Sequence, residues 1–345
     1  MTTALVTGGS GYFGSILVRE LRDRGYAVRI FDIREPEDND SGLEFCQGDI
    51  CDAAAISAAV QGAELVFHNV AQVPLAKNSK LFWSVNYDGT RNMLDACRSK
   101  AVKKVIYTSS SAIYGIPKVN PVTEETEPSP AEEYGNAKLA GEILCREYAS
   151  RGLDVSIIRP RTILGHGRLG IFQILFEWIY QGKNIPILDG GKNVYQFIHG
   201  DDLAEACISA AQIRGAQDFN CGASSFGTMR DALENLCRHA GTGSQLKSLP
   251  MWLVEPAMNA FSVLSFSPLG TYHSLMYGRS MYFDASKAMQ QLKWKPKYSN
   301  DAMFIENYDW YVRNREKVLN SNASRSHHRS PVKQGILALV QKLLW

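Results

Sequence analysis

The sequence predicts an α/β protein, a doubly wound parallel sheet followed by a smaller C-terminal substrate lobe. Short β-branched runs alternate with amphipathic stretches through the first half of the chain. Each run is separated from the next by a helix-length segment, so the strands must join through right-handed crossovers and lie parallel. After Pro160 the alternation loosens, and Gly and Pro become frequent.

In chain order, ALVTGG (4–9) reads as the first strand, and Ser15 to Arg24 as a helix with Ile16, Leu17 and Leu21 on one side. AVRIFDI is the next strand. AAAISAAVQ is a helix, AELVFHNV a strand, TRNMLDACRSK a helix and KKVIYTSSS a strand. LDVSIIRP follows a helix that carries Tyr134 and Lys138. In the second half, IFQILFEWIYQG is an apolar helix, and YQFIHGDDLAEACISAA reads as a short strand, an Asp cap and a helix. SNASRSHHRSP (321–331) is polar and basic, as a linker would be. The expected organisation is a dinucleotide-binding domain over 1–160 and a substrate lobe over 161–318, with some chain returning to the sheet. A linker over 319–331 and an amphipathic helix over 332–345 complete it.

At 345 residues, 45% hydrophobic and 21% charged, the composition is that of a globular chain of about two domains. A net charge of +2 gives no case for nucleic-acid binding. Seven scattered cysteines include no C-x-x-C pair and no zinc spacing, so reduced thiols in a cytoplasmic setting and no metal are expected. No secretory leader and no spanning helix is read.

VTGGSGYFG sets Gly8, Gly11 and Gly14 three apart between the first strand and first helix. A dinucleotide site needs this pattern: a tight turn, a backbone that can approach the pyrophosphate, and close packing of helix on strand. The helix N-terminus then stabilises phosphate charge with its N–H groups. Tyr12, Phe13 and Ile50 complete the cofactor-facing set. Asp32 ends the second strand, where a carboxylate accepts from both ribose hydroxyls and repels a 2′-phosphate, favouring NAD over NADP. Arg34 pulls the other way, since it could turn toward a 2′-phosphate. Asp49 reads equally as a partner of the adenine amino group and as a turn aspartate.

EEYGNAKLAGE places Tyr134 and Lys138 four apart, on one helix face. A free phenol titrates near 10, and a cation beside it favours the phenolate. The pair therefore suits acid–base chemistry at a secondary alcohol; both Tyr134 and Lys138 are also expected to contact the cofactor, and Lys138 could hold the nicotinamide ribose. Ser111, at the end of the YTSSS run, is the hydroxyl chosen to hold the substrate oxygen, leaving Ser109 and Ser110 to bond backbone.

Together, T-G-x-x-G-x-x-G, the strand end SSSAIYG, Y-x-x-x-K and RPRTILGHG resemble the extended short-chain dehydrogenase/reductase family over about residues 3–315. That family includes sugar-nucleotide epimerases, dehydratases and 3β-hydroxysteroid dehydrogenases. The resemblance implies that Ser111, Tyr134 and Lys138 are catalytic, that Gly8, Gly11, Gly14 and Asp32 hold NAD, and that the protein is a homodimer. It also implies a structural role for Asn86, while His68 reads as packing. Family dehydratases carry an Asp-Glu pair where this chain has Ala112-Ile113, so dehydration is not expected. Family epimerases tend to carry an asparagine after the Arg-Pro strand and Arg-Asp before the hVxDLA element. Here Arg161-Thr162 and Tyr195-Gln196 stand in those regions. Arg161 and Tyr195 are the candidate substrate contacts; Arg161 reads as a phosphate ligand or as structural.

The expected activity is NAD-dependent epimerisation or oxidoreduction of a nucleotide-linked or lipid-carrier-linked sugar through a transient ketone. The alternatives are a sterol-type 3β-hydroxyl dehydrogenase and a non-catalytic NAD-binding scaffold. The apolar stretch 251–272 reads as a pocket wall, a membrane-facing surface or lobe core. The basic, Trp-ended segment 332–345 is suited to a bilayer interface or a partner subunit.

Overall fold

The computed structural model describes residues 2–37, 43–73, 79–250, 252 and 278–320. Seven parallel strands form the central sheet: β1 (Thr3–Thr7), β2 (Ala27–Asp32), β3 (Glu44–Gln47), β4 (Leu65–His68), β5 (Lys104–Thr108), β6 (Val155–Pro160) and, arriving late in the chain, β11 (Gln217–Cys221). Their spatial order is β11-β6-β5-β4-β1-β2-β3. The order reverses between β1 and β4, and at such a switch point the strand C-termini open a crevice.

Helices cover both faces, as a Rossmann-like sheet requires. One face carries α1 (Tyr12–Asp23) and α7 (Gly200–Ala211), with Ile16, Leu17, Leu203 and Cys207 in the shared core. The other carries α2 (Ala53–Val60), α4 (Gly89–Ser99) and α5 (Glu133–Ser150), packed through Ile56, Met93, Leu94 and Leu144. A short helix α3 (Ser79–Trp83) and one π-turn (Ser84–Asp88) lead into α4. That turn seats Asn86, which accepts from Gln72 N–H at 2.8 Å and donates back to Gln72 O at 3.1 Å.

The lobe has its own core around Phe176, Phe197, Phe304 and Tyr311. It contains β7 (Thr162–Leu164), α6 (Phe172–Tyr180), β8 (Ile185–Leu188), β9 (Val194–Tyr195), β10 (Phe197–His199), β12 (Gly227–Thr228), α8 (Met229–Ala240) and β13 (Leu246–Leu249). Helices α9 (Ser286–Gln291) and α10 (Asn300–Asn320) follow. Strand pairs β10-β7 and β13-β8 are parallel, and β12-β9 is antiparallel.

Two expectations change. The cap of α7 is His199, whose Nδ1 accepts from Asp201 N–H, and not an aspartate. Its second ring nitrogen meets Glu306 of α10 at 2.9 Å, so the histidine links cap and lobe. Helix α10 runs through Asn320, so residues 319 and 320 are helical rather than linker. The expected apolar wall at 251–272 lies outside the described residues except for exposed Trp252, and the tail at 332–345 lies wholly outside them. Among the described residues no helix is long and apolar enough to cross a membrane. All seven cysteines are free thiols.

Candidate active site

The crevice at the switch point is a cavity of about 580 Å³. Gly8, Gly11, Tyr12, Phe13 and Gly14 line one end, beside Asp32, Arg34, Asp49 and Ile50. Ser111, Tyr134, Lys138 and Arg161 line the other end. Tyr195 does not line it. Its ring lies 4.5 Å from the Arg161 guanidinium carbon and its hydroxyl 3.0 Å from Thr162 Oγ1, so it supports Arg161 from behind.

At the glycine end, Gly8 takes a φ of +72°, where a side chain would be strained. A Cβ on Gly14 would stand 2.0 Å from Gly8 O, so helix and loop meet only because it is glycine. Helix α1 starts on Gly11 with no side-chain cap and no acid in its first turn. Its N-terminal N–H groups and dipole are thus left for an anion. Asp32 is held by Ser10 N–H at 3.2 Å and Arg34 N–H at 3.1 Å, while burial raises its pKa. Asp49 accepts from Cys51 N–H at 2.9 Å, an Asx-type turn. These residues fit a dinucleotide: a phosphate cradle next to a carboxylate at the end of β2.

At the other end, α5 is capped by Glu132, whose carboxylate accepts from Tyr134 and Gly135 N–H at 2.8 and 2.7 Å. This cap seats Tyr134 in the first turn. Four residues on, Lys138 is 1% exposed, donates to Thr108 O at 2.7 Å and stands 4.2 Å from the Tyr107 ring centre. Burial pulls its pKa down to about 8.

The expectation that Lys138 depresses the Tyr134 phenol does not hold in this state. Burial raises that phenol, and the opposing influences are a hydrogen bond with Ser110 and the positive charge of Arg168. Lys138 points instead at the end of β5. Ser110 bonds backbone as the sequence reading expected, capping the turn after β5 through Ala112 N–H at 3.1 Å, and it also meets the phenol. Ser111 Oγ accepts from Arg161 Nη1 at 2.8 Å.

Arg168 was not singled out from the sequence. It lines the cleft from the loop between β7 and α6, with its guanidinium carbon 5.1 Å from the Tyr12 ring centre. The signal was an arginine in a stretch with glycines at 165, 167 and 170, all at positive φ. His68 is fully buried between Thr7 and Thr90, and burial drives its pKa down to about 3. Thr90 Oγ1 already donates to Asn86 O at 2.8 Å, so it accepts from His68 Nε2–H, and Thr7 donates to Nδ1. His68 is thus a neutral packing residue, as expected. His166, His199 and Glu306 bring possible ligand atoms within 4.8 Å, but with Asp201 they are engaged in hydrogen bonds to one another that tie α7 to α10.

A switch-point cleft with a glycine cradle and a Tyr-Lys helix defines an NAD-dependent enzyme of the extended short-chain dehydrogenase type. The chain belongs to the NAD dependent epimerase/dehydratase family, whose model matches residues 4–222. It is 55% identical over 339 residues to the uncharacterized protein y4nG of Sinorhizobium fredii, covering 98% of this chain and 85% of that one. It is 28% identical over 325 residues to a decarboxylating sterol-4-alpha-carboxylate 3-dehydrogenase of Bos taurus, covering 86% and 88%. Among solved structures it is similar to MoeE5 in complex with UDP-glucuronic acid and NAD, with a TM-score of 0.74, 25% identity, and coverage of 90% and 99%.

Proposed function

We propose that the protein moves hydride and proton at a secondary hydroxyl of a nucleotide-linked or lipid-carrier-linked sugar, as an epimerase or oxidoreductase working through a transient ketone. One observation carries this reading: Tyr134 and Lys138 share a helix face at one end of the cleft, beside the serines that end β5. Ser111 holds the substrate oxygen. Tyr134 takes its proton and returns it. Arg168 and Ser110 lower the cost of the phenolate between those steps. Lys138 holds the nicotinamide ribose, the glycine loop with Tyr12 and Phe13 the pyrophosphate, and Asp32 the adenosine ribose, with Arg34, Asp49 and Ile50 around the adenine. Bound NAD supplies the hydride acceptor.

A second reading is a sterol-type 3-hydroxyl dehydrogenase. The name of the bovine relative and the Arg161-Thr162 pair in place of an asparagine favour it. A homodimer in the cytoplasm and peripheral membrane contact through 332–345 belong to the same proposal.

The test is turnover of a mixed pool of nucleotide sugars, polyprenyl-linked sugars and sterols with NAD, followed at 340 nm and by mass spectrometry. An isomer of unchanged mass marks an epimerase, and a product two hydrogens lighter marks a dehydrogenase. Tyr134→Phe is expected to lower kcat by roughly 100- to 10,000-fold while leaving NAD affinity in place. Unchanged turnover in that variant ends the assignment.

A further inference from the structure

Arg168 enters the cleft from the loop between β7 and α6, and its head group has little of its own to hold it. The guanidinium carbon lies 5.1 Å from the Tyr12 ring centre, and no carboxylate among the described residues pairs with it. Its place is therefore set by the backbone that carries it. In that loop Gly165, His166, Gly167 and Gly170 take φ of +100°, +48°, +71° and +47°. Glycine adopts this left-handed region freely, whereas a histidine is strained there. Two of the glycines also make room. A Cβ on Gly165 would stand 2.2 Å from His199 Nε2, and one on Gly167 would stand 2.4 Å from the Trp310 ring. A histidine between them calls for a reason beyond the turn itself.

The contacts of His166 supply one. Its Nε2–H donates to Asp201 Oδ1 of α7 at 2.8 Å, since an ionised carboxylate only accepts. Its backbone N–H donates to Glu306 Oε1 of α10 at 3.0 Å, and the next N–H, of Gly167, donates to Asn307 Oδ1 at 3.0 Å. Tyr12 donates its hydroxyl to Gly165 O, and Arg168 N–H donates to the same oxygen at 3.0 Å, closing the turn. The anchors are themselves tied, Asp201 to Arg19 at 2.7 Å and Glu306 to His199 at 2.9 Å. His199 Nδ1 accepts from Asp201 N–H, so its Nε2 keeps a proton for Glu306 and is not free to ligate a metal. The cluster is thus a clamp on the loop, and His166 is the loop side chain that reaches α7.

We propose that His166 is a positioning residue: its hydrogen bond to Asp201 fixes the 165–170 loop so that the Arg168 guanidinium stays at the Tyr134 end of the cleft. This rests on the reading of Tyr134 as the acid–base group. What the clamp delivers is the charge of Arg168. A cation near a phenol favours the phenolate, which is the form that removes a proton from a hydroxyl. The groups acting on this phenol are Arg168 from the loop, Glu132 from its own helix and Ser110 after β5, and of these only Arg168 brings positive charge. Lys138, on the same helix, is turned to Thr108 O. A Coulomb attraction falls with distance and with the entry of water. A loop released from α7 would therefore weaken the one favourable charge at the phenol while leaving the Tyr134 helix untouched.

The experiment uses the full chain, NAD-loaded, with 3,5-difluorotyrosine placed at position 134 alone. Its phenol is more acidic than that of tyrosine, so it titrates while the protein is folded. Fluorine NMR reads a single midpoint, and circular dichroism at each pH establishes that the fold is intact. Arg168→Met is expected to raise the midpoint by roughly one pH unit, and Arg168→Lys to raise it less. His166→Asn keeps a residue that tolerates positive φ but is shorter than the span to Asp201. It should raise the midpoint by roughly half a pH unit or more. In the Arg168→Met background His166→Asn should add nothing, a result that a general loosening of the fold would not give. A midpoint unmoved by Arg168→Met or by His166→Asn overturns the proposal, as does a rise from His166→Asn that is the same with and without Arg168. A phenol that does not titrate in the otherwise wild-type chain overturns it too. None of these outcomes touches the assignment of Tyr134, which turnover of Tyr134→Phe tests by itself.

Discussion

Arg159, near the end of β6, and Arg161, just past that end, are equally buried, yet they are completed in opposite ways. Arg159 donates to Glu142, to Asp218 at 2.8 Å and to Tyr114 Oη at 2.9 Å, tying β6 to α5, β11 and the turn after β5. Arg161 faces the cleft and has one hydroxyl, one sulfur and two ring faces. Lys138 sides with Arg161: it is buried, and its bonded acceptor is a backbone carbonyl. The difference separates a buried cation bonded to carboxylates of the fold from buried cations whose direct contacts, among the described residues, are neutral groups. It also separates arginine from lysine. Lys138 can answer burial by shedding its proton near pH 8, whereas a guanidinium stays charged.

The largest effect that would break this comparison lies at Arg159. Arg159→Met leaves Glu142, which is 0% exposed, with only the half-exposed Arg146 at 3.0 Å as its cation, and should cost about 3–5 kcal/mol in urea denaturation. A loss below about 1 kcal/mol would mean that Arg159 is no more structural than Arg161.

Next comes Lys138. Unfolded, it titrates near its ordinary 10.5; folded, at about 8. Between those values the unfolded chain still holds a proton that the folded protein has released, so this group makes stability rise with pH across that window. Below pH 8 the burial cost is present in full. Lys138→Met should remove a rise on the order of 3 kcal/mol, read as the difference between wild-type and variant unfolding curves at pH 7.5 and 10. Parallel curves would show that burial does not tune this lysine.

The smallest effect is expected at Arg161. Replacing a buried guanidinium that has no carboxylate partner among the described residues by an apolar chain of similar volume should change stability by no more than about 1 kcal/mol in either direction. A drop as large as that of Arg159→Met would make Arg161 a second structural cation.

Much of this was legible in the chain. The core strands β1, β2, β4, β5 and β6 are rich in Val and Ile and bounded by helix periodicity, and the glycine loop and Tyr134-Lys138 are local patterns. Two sheet members were not. β3 (EFCQ) and β11 (QDFNC) are edge strands with polar residues, and only their neighbours make them strands. Arg168 and the Ser111–Arg161 bond were illegible for a related reason. They depend on loops from distant parts of the chain meeting over the cleft, and no spacing encodes that approach. The direction of the Tyr134 shift was misread because four-residue proximity on a helix says nothing of where a long lysine side chain ends.

The late arrival of β11 bears on how the protein is made. Residues 217–221 close the edge of β6, and Asp218 supplies the second acid to Arg159. On a ribosome the chain leaves in order, so the first 160 residues can gather while one flank of the sheet stays bare and Arg159 has Glu142 and Tyr114 but not yet Asp218. An open parallel edge is a template for unwanted pairing. The lobe between is therefore also a delay, and a nascent chain stalled before residue 221 should be the species most in need of a chaperone.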